Sequence, residues 1–160
     1  MADIFFLNQI PFFLMLSRNI SFPEVNHLAD RNAETIFMAF EQIYQFSINR
    51  GFRATIVHAA GEFAPLQAMT QAMPGGPRVN LASSSKDVPE IKRRITVVME
   101  RSSSTRHRLP FNRIPKLLTI HIVFHAVKKG GINFLRNAAF RIQSVQKPLC
   151  QVMLFIKRNI

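Results

Sequence analysis

The sequence predicts an α/β fold: a mixed sheet that starts with three antiparallel strands, continues with alternating strands and helices, and is flanked by helices. The first 25 residues contain short apolar runs separated by turn-prone residues, which is typical of buried strands joined in a hairpin. Beyond them, stretches with helical apolar spacing alternate with short β-prone stretches. The 160 residues, 48% of them hydrophobic, are enough for one domain with a substantial core.

The first strands are predicted from runs rich in Phe, Ile and Leu. Residues 3 to 7 and 11 to 17 form two such runs, and the turn-prone pair Asn8-Gln9 separates them. A third strand is expected near residues 19 to 25. A targeting segment is the alternative, but Asp3 precedes any positive charge, and no apolar run approaches the roughly 20 residues that span a bilayer. We therefore interpret this segment as paired core strands.

The next part of the chain alternates helix and strand. Ile36, Phe40, Ile43 and Tyr44 follow one another at three- and four-residue spacing, so they share one face of a helix that ends near Gly51. We then expect a strand at 52–58, a short helix at 63–73, a strand at 78–81, an amphipathic helix at 88–106 with a basic exposed face, a loop at 109–115, and a buried helix or strand at 116–127.

Charge divides the chain unevenly. Residues 1–80 carry five Lys or Arg against six Asp or Glu, whereas residues 81–160 carry sixteen against three, which together give the net charge of +12. A basic half of this kind favours phosphate backbones or anionic membrane surfaces as partners. The lone Cys150 excludes an internal disulfide and fits a reducing compartment, so we expect an intracellular protein, with the nucleus as one option.

Three places in the sequence have residues suited to chemistry. Asp3 is a single carboxylate in a strongly apolar strand, where burial is costly without a cation or donors, although a solvated residue is the simpler interpretation. Residues 56–66 form a strand end that turns into a helix, a common position for catalytic groups in α/β sheets and also an ordinary structural turn. Residues 87–101 form either a phosphate-contacting helix face or a solvated charged helix.

Six short motifs follow one another at characteristic spacing. They are Asp3 to Asn8, the following Pro-Phe-Phe with Ser17-Arg18, Arg50-Gly51-Phe52, Gly61-Glu62-Phe63, Val88-Pro89-Glu90-Ile91, and Leu109-Pro110-Phe111-Asn112. Over residues 3–127 this order resembles the integrase region of copia-type retrotransposon polyproteins. The resemblance implies a ribonuclease H-like fold in which two Asp and one Glu bind two divalent ions, Mg or Mn, for DNA strand transfer.

The resemblance places that acidic triad at three positions of this chain. Asp3 matches the first Asp, whereas Ala60 stands where relatives carry the second Asp, and Lys92 stands where they carry the Glu. Alanine offers no ligand, and lysine brings a positive charge to where a cation would be bound. Both replacements oppose metal binding, so we expect no cofactor, with Asp3 as the sole retained metal ligand, and a degenerate domain that has lost strand-transfer activity.

Other metal ligands are not expected to replace the triad. Glu62 and Glu90 are conceivable substitutes, but Glu90 is two residues from Lys92 and points about 200° away on a helix. The upstream zinc module of the family has no counterpart in the spacing of the five His and one Cys. His121 and His125, four residues apart, are expected to be partly buried core residues.

The sequence therefore predicts an integrase-like core at 1–127 and a divergent basic tail at 128–160. The leading hypothesis is a catalytically impaired remnant with residual nonspecific binding to the phosphate backbone of DNA or RNA. One alternative is an active Mg-dependent polynucleotidyl transferase or nuclease that uses Asp3 with substitute acids. Another is a basic membrane-surface protein without a membrane span. A homodimer is left open. The expected phosphate contacts are Arg93, Arg94, Arg101, Arg106 and Arg108.

Overall fold

A computed structural model of the chain describes residues 1–81, 89–110 and 114–128. Five strands form one sheet with the spatial order β3-β2-β1-β4-β5, in which β1, β2 and β3 pair antiparallel while β4 runs parallel to β1 and β5 parallel to β4. The strands are β1 (Ala2–Leu7), β2 (Ile10–Leu16), β3 (Pro23–His27), β4 (Ile56–Ala59) and β5 (Arg78–Leu81); the helices are α1 (Ala33–Ile48), α2 (Ala64–Gln71), α3 (Pro89–His107) and α4 (116–128). The predicted fold class is confirmed.

The first two strands meet in a two-residue hairpin turn. Leu7 pairs with Ile10, and the intervening Asn8 and Gln9 both have positive φ, at 51° and 64°. Two left-handed residues in succession give the turn a twist that matches the strands it joins. The turn therefore fixes the register in which β1 and β2 pair.

The sheet separates two cores. Helices α1 and α2 cover one face, where Phe13, Phe40 and Phe63 are almost fully buried. Helices α3 and α4 pack on the other face, where Phe12, Leu14 and other residues of β1 and β2 meet the apolar sides of these helices. Side chains of a strand alternate between faces, so β1 and β2 contribute to both cores.

The second face is covered only in part. Within the described residues, its buried core contains side chains of β1, β2, β3, α3 and α4, and none from β4 or β5. Ile56 of β4 is 54% exposed, and Arg78 and Asn80 of β5 are exposed as well. As far as the described residues show, one half of this face therefore lies open beside α3.

Several predicted boundaries differ from the structure. Strand β3 begins at Pro23 because a turn with positive φ at Ser21 precedes it, and it ends two residues beyond the predicted 19–25. Strand β4 is shorter than the predicted 52–58, since Phe52 still donates its backbone N–H to Ser47 at the end of α1. For residues 116–127, predicted as helix or strand, the structure shows a helix.

His121 and His125 were expected to be partly buried, and this expectation is wrong. Both are exposed on α4, because the helix turns Ile122, Val123, Ala126 and Val127 towards the core. The predicted tail, apart from Lys128, lies outside the described residues. None of the described helices combines the length and the hydropathy that a bilayer span requires.

Candidate functional site

Asp3 lies at the centre of the sheet, on its partly open face. It follows Ala2 in β1, and Ala2 pairs with Ala59 of the parallel strand β4. Asp3 is on the same side of β1 as Met1 and Phe5, which belong to the core under α3 and α4. The carboxylate is partly buried, and its Oδ1 accepts the backbone N–H of Ile4 at 2.9 Å. The predicted first metal position is therefore a half-buried carboxylate in a central strand.

Ala60 is next to Asp3 in the strand register. Because Ala2 pairs with Ala59 in parallel strands, the following residue of each strand, Asp3 and Ala60, stand side by side at the end of the ladder. Ala60 is exposed, and its carbonyl accepts the N–H of Phe63 in the short 3-10 turn Gly61–Phe63 that leads into α2. The predicted strand-to-helix turn is present, but the methyl side chain of Ala60 provides no metal ligand.

Two contacts of α3 show which way this helix is turned on the sheet. Glu90 forms an ion pair with Arg18 at 3.3 Å, and the Arg94 guanidinium donates to the Ser21 carbonyl at 3.0 Å. Both contacts lie in the segment after β2, so the flank of α3 with Glu90 and Arg94 faces β3.

Lys92 is on the opposite flank of the same helix. Relative to the buried Ile91 it is rotated by about 100° in one direction, whereas Arg94 is rotated by about 60° in the other. This flank faces β1 and the uncovered strands, and the Lys92 side chain is exposed. Arg106, about four turns further along the same flank, donates to Asn8 Oδ1 at 3.0 Å at the hairpin turn.

The two conceivable substitute acids are held by arginines. Glu62 pairs with Arg31 at 2.8 Å, and the Arg31 guanidinium also lies 5.4 Å from the centroid of the Phe6 ring. Glu90 is occupied by Arg18 on the flank facing away from Lys92. Among the described residues no three His, Cys, Asp or Glu side chains are grouped closely enough to hold a metal ion. The residues present therefore do not fit a two-ion site.

The five arginines predicted to contact phosphate differ in exposure. Arg93, Arg106 and Arg108 are exposed. Arg94 and Arg101 are half-buried, and burial, together with the charge of Arg101, lowers the pKa of Arg94. Arg94 is in addition engaged with the Ser21 carbonyl. The exposed three are the better placed to reach a polyanion.

Two residues of β5 were not identified from the sequence. Arg78 pairs with Ile56 and Asn80 with His58, and both lie opposite the buried Val79 and Leu81 side of their strand. The alternation in Arg-Val-Asn-Leu could have placed them on one face, but only the packing shows that no described helix covers this face. We call the space between this open half of the sheet and the Lys92 flank of α3 the cleft; among the described residues, its polar side chains are Asp3, His58, Arg78, Asn80 and Lys92.

An open cavity of about 400 Å³ lies elsewhere, between α1 and the loop that follows α2. Its lining includes Glu41, Tyr44, Arg53 and Gly75, and it is on the face of the sheet opposite to Asp3. Tyr44 and Arg53 both donate to the Gly75 carbonyl at 3.0 Å, which fixes the loop. These side chains are occupied in structural hydrogen bonds, and the cavity has no part in the cleft.

No protein-family model matches the chain, and no curated protein matches it. Among solved structures, the chain is similar to the catalytic core domain of BIV integrase in crystal form I. The TM-score is 0.52 with 11% sequence identity, over 79% of this chain and 78% of that chain. The likeness is one of fold, and it shows that the mixed sheet with its flanking helices matches the ribonuclease H-like fold of that integrase core.

Proposed function

We propose that this chain is a remnant of a copia-type retroelement integrase, impaired in catalysis, that keeps a sequence-nonspecific affinity for the phosphate backbone of DNA or RNA. It acts without a resident cofactor, whereas the intact family uses Mg or Mn. The integrase-like fold supports the family, and the order of motifs along residues 3–127 supports the retroelement type. An intracellular location, with access to the nucleus, is part of the proposal.

The observation that supports catalytic impairment is the composition of the central strand ends. Ala60 stands beside Asp3 on the neighbouring strand, and Lys92 lies on the flank of α3 that faces the cleft. Two divalent ions about 4 Å apart need several shared oxygen ligands. One carboxylate with an ammonium group on the adjacent helix is a poor substitute, because the lysine charge repels the cations that the site would have to hold.

The nucleic-acid part of the proposal is supported by α3. Its exposed positions carry Lys92, Arg93 and Arg106, and Arg108 follows its last turn. Basic side chains along one helix bind phosphates by neutralising charge and releasing counterions, which needs no particular base sequence. The domain boundaries of the proposal, 1–127 for the core and 128–160 for the tail, follow from the sequence, and a homodimer is compatible with it.

Fluorescence anisotropy of the full chain with two labelled DNA duplexes of unrelated sequence tests this function. We expect equal affinities for the two duplexes and a fall in affinity with salt, with a slope of about −0.9 for each phosphate contacted. Arg93→Gln combined with Arg108→Gln should lower this slope by about 2. Lys116→Gln, which removes an exposed charge from the first turn of α4, is the matched control and should change the slope little.

Catalytic impairment is tested separately with a supercoiled plasmid. The wild-type chain should produce no nicked product at any Mg²⁺ or Mn²⁺ concentration. Metal-dependent nicking that disappears in Asp3→Asn would show an active enzyme and contradict the proposal. A flat salt response in the anisotropy titration would contradict the nucleic-acid part, and co-sedimentation with anionic phospholipid vesicles instead would indicate a membrane-surface protein.

A further inference from the structure

We propose that the cleft binds a nucleic-acid phosphodiester directly through the Lys92 ammonium group, so that binding there does not require a divalent cation. This inference rests on the proposed nucleic-acid affinity and goes beyond it, because it names the position and the metal independence of one contact. We infer it because the residues of the cleft do not fit a two-ion site.

Contacts at both ends of α3 fix its orientation on the sheet. The Glu90–Arg18 ion pair and the Arg94–Ser21 hydrogen bond hold one flank towards β3. The Arg106–Asn8 hydrogen bond holds the far end of the helix at the hairpin turn. These contacts at both ends leave Lys92 on the side of the open sheet.

The described side chains of the cleft carry a net positive charge. Among the described residues its acid is Asp3, and Asp3 is partly buried in the strand. Lys92 and Arg78, both exposed, bring positive charge to the same space. A phosphodiester carries one negative charge, and a net positive cleft attracts it without a metal ion as intermediary.

The groups that border the open strands are suited to binding a phosphate. An ammonium group is a compact charge with three N–H donors, and phosphate oxygens accept such bonds readily. Lys92 already interacts with a neighbouring group of the protein, and its three donors allow a phosphate oxygen to be bound as well. His58 and Asn80, paired across β4 and β5, offer further polar atoms on the same face.

The shape of the fold provides access. Ile56 is 54% exposed and Asn80 is exposed, so no described element blocks the approach of a strand to this half of the sheet. The two exposed β5 side chains, Arg78 and Asn80, would border a backbone lying along the cleft. A phosphate beside Lys92 could then be contacted from α3 and from the sheet.

The test measures the affinity of the full chain for a labelled DNA duplex, with EDTA and with Mg²⁺, for the wild type, Lys92→Gln and Lys92→Arg. We expect wild-type affinity in EDTA to equal or exceed that in Mg²⁺, because free Mg²⁺ competes as a counterion. Lys92→Gln should weaken binding about two- to fivefold and lower the salt slope by about 0.9. Lys92→Arg should keep both, since it retains the charge.

Lys116→Gln again serves as the matched control, because it removes the same charge from the other helix on this face. If Lys92→Gln and Lys116→Gln bind alike while the wild type keeps its salt dependence, the cleft contact is wrong and the proposed function stands. If EDTA abolishes wild-type binding, metal independence is wrong. Thermal unfolding of each variant verifies that the fold is kept. If Lys92→Gln unfolds while Lys92→Arg stays folded, Lys92→Met takes the place of Lys92→Gln in the binding test, because it removes the charge and keeps the apolar stem.

Discussion

Glu24 is a carboxylate whose surroundings on edge strand β3 disfavour its charged form. Burial raises its pKa to about 6 from an ordinary 4.5, while the charges of Arg50 and Lys128 act in the opposite direction. The folded protein therefore binds a proton more tightly than the unfolded chain does. The contribution of Glu24 to the free energy of unfolding is fully present below pH 4.5 and is lost as the pH rises through about 6.

Glu24→Gln should consequently stabilise the fold at pH 7 and have little effect near pH 4. We expect a gain of about 1 kcal/mol at pH 7, less than the full value of the shift because the carboxylate keeps some contact with solvent. Urea unfolding at the two pH values measures it. Glu41→Gln, in the middle of α1 and exposed, is the control. A gain at pH 4 as large as that at pH 7 would contradict the prediction.

Ser102 is a polar residue in the apolar face of α3. It is 1% exposed, and within the described part of the chain its Oγ has no hydrogen-bond partner. The hydroxyls of Thr70 and Thr119, also buried, each donate to a backbone carbonyl three or four residues earlier in the chain. A buried hydroxyl without a partner is destabilising.

Ser102→Ala should therefore stabilise the protein by about 1 kcal/mol, of which part comes from the better helix propensity of alanine. Ser103→Ala, at the exposed neighbouring position, isolates the propensity contribution. Both are measured by chemical denaturation at pH 7. Equal gains in the two variants would show that the Ser102 hydroxyl costs nothing.

The hairpin turn between β1 and β2 contains a residue that is poorly matched to its backbone conformation. Asn8 tolerates its positive φ, whereas Gln9 adopts a φ of 64° that favours glycine. Gln9→Gly should stabilise the hairpin by about 0.5 kcal/mol, because relief of backbone strain exceeds the entropy that glycine adds to the unfolded chain. Thermal unfolding measures the effect, and Gln9→Ala, which keeps the strain, should show no gain. A loss of stability in Gln9→Gly would contradict this account.

The elements themselves were well predicted where the pattern is local. The apolar runs around Asn8-Gln9 and the helical spacing from Ile36 to Tyr44 determine their own structure, because each pattern leaves one arrangement that buries its apolar side chains. For α3 the spacing of Ile91, Ile95, Val98 and Met99 predicted the buried face in part, because the first three pack in or against the core while Met99 is 38% exposed. It could not predict which flank faces β3, because that depends on contacts with Arg18 and Ser21, which are distant in the sequence.

The order of the strands in the sheet decides which residues can form a site. The parallel pairing of β1 with β4 puts Asp3 beside Ala60, and no local pattern contains that information. The open half of the sheet is likewise a property of packing, and for this reason Arg78 and Asn80 were missed. The family resemblance predicted the positions of Ala60 and Lys92, and the assembled fold shows that one lies beside Asp3 and the other on the adjacent helix flank.

If Asp3, Ala60 and Lys92 converge on one former ion site, restoring two acids should restore metal binding. Ala60→Asp combined with Lys92→Glu would give three carboxylates, which repel one another without a cation and share one when it is present. We expect Mn²⁺ to raise the melting temperature of this double variant, by the equivalent of about 1.4 kcal/mol at a concentration ten times its Kd, and EDTA to reverse the effect. The wild type should not respond.

The decisive control is Ala60→Asp with Lys116→Glu, which makes the same change of charge but places the second carboxylate on α4. Since Lys116 lies beside His27 on edge strand β3, where its charge acts on the His27 imidazole, this variant should gain little from Mn²⁺. A Mn²⁺ response of equal size in both double variants would indicate nonspecific binding to a less basic protein. A response confined to the Lys92→Glu variant would require that the α3 flank and the two central strands meet at one point.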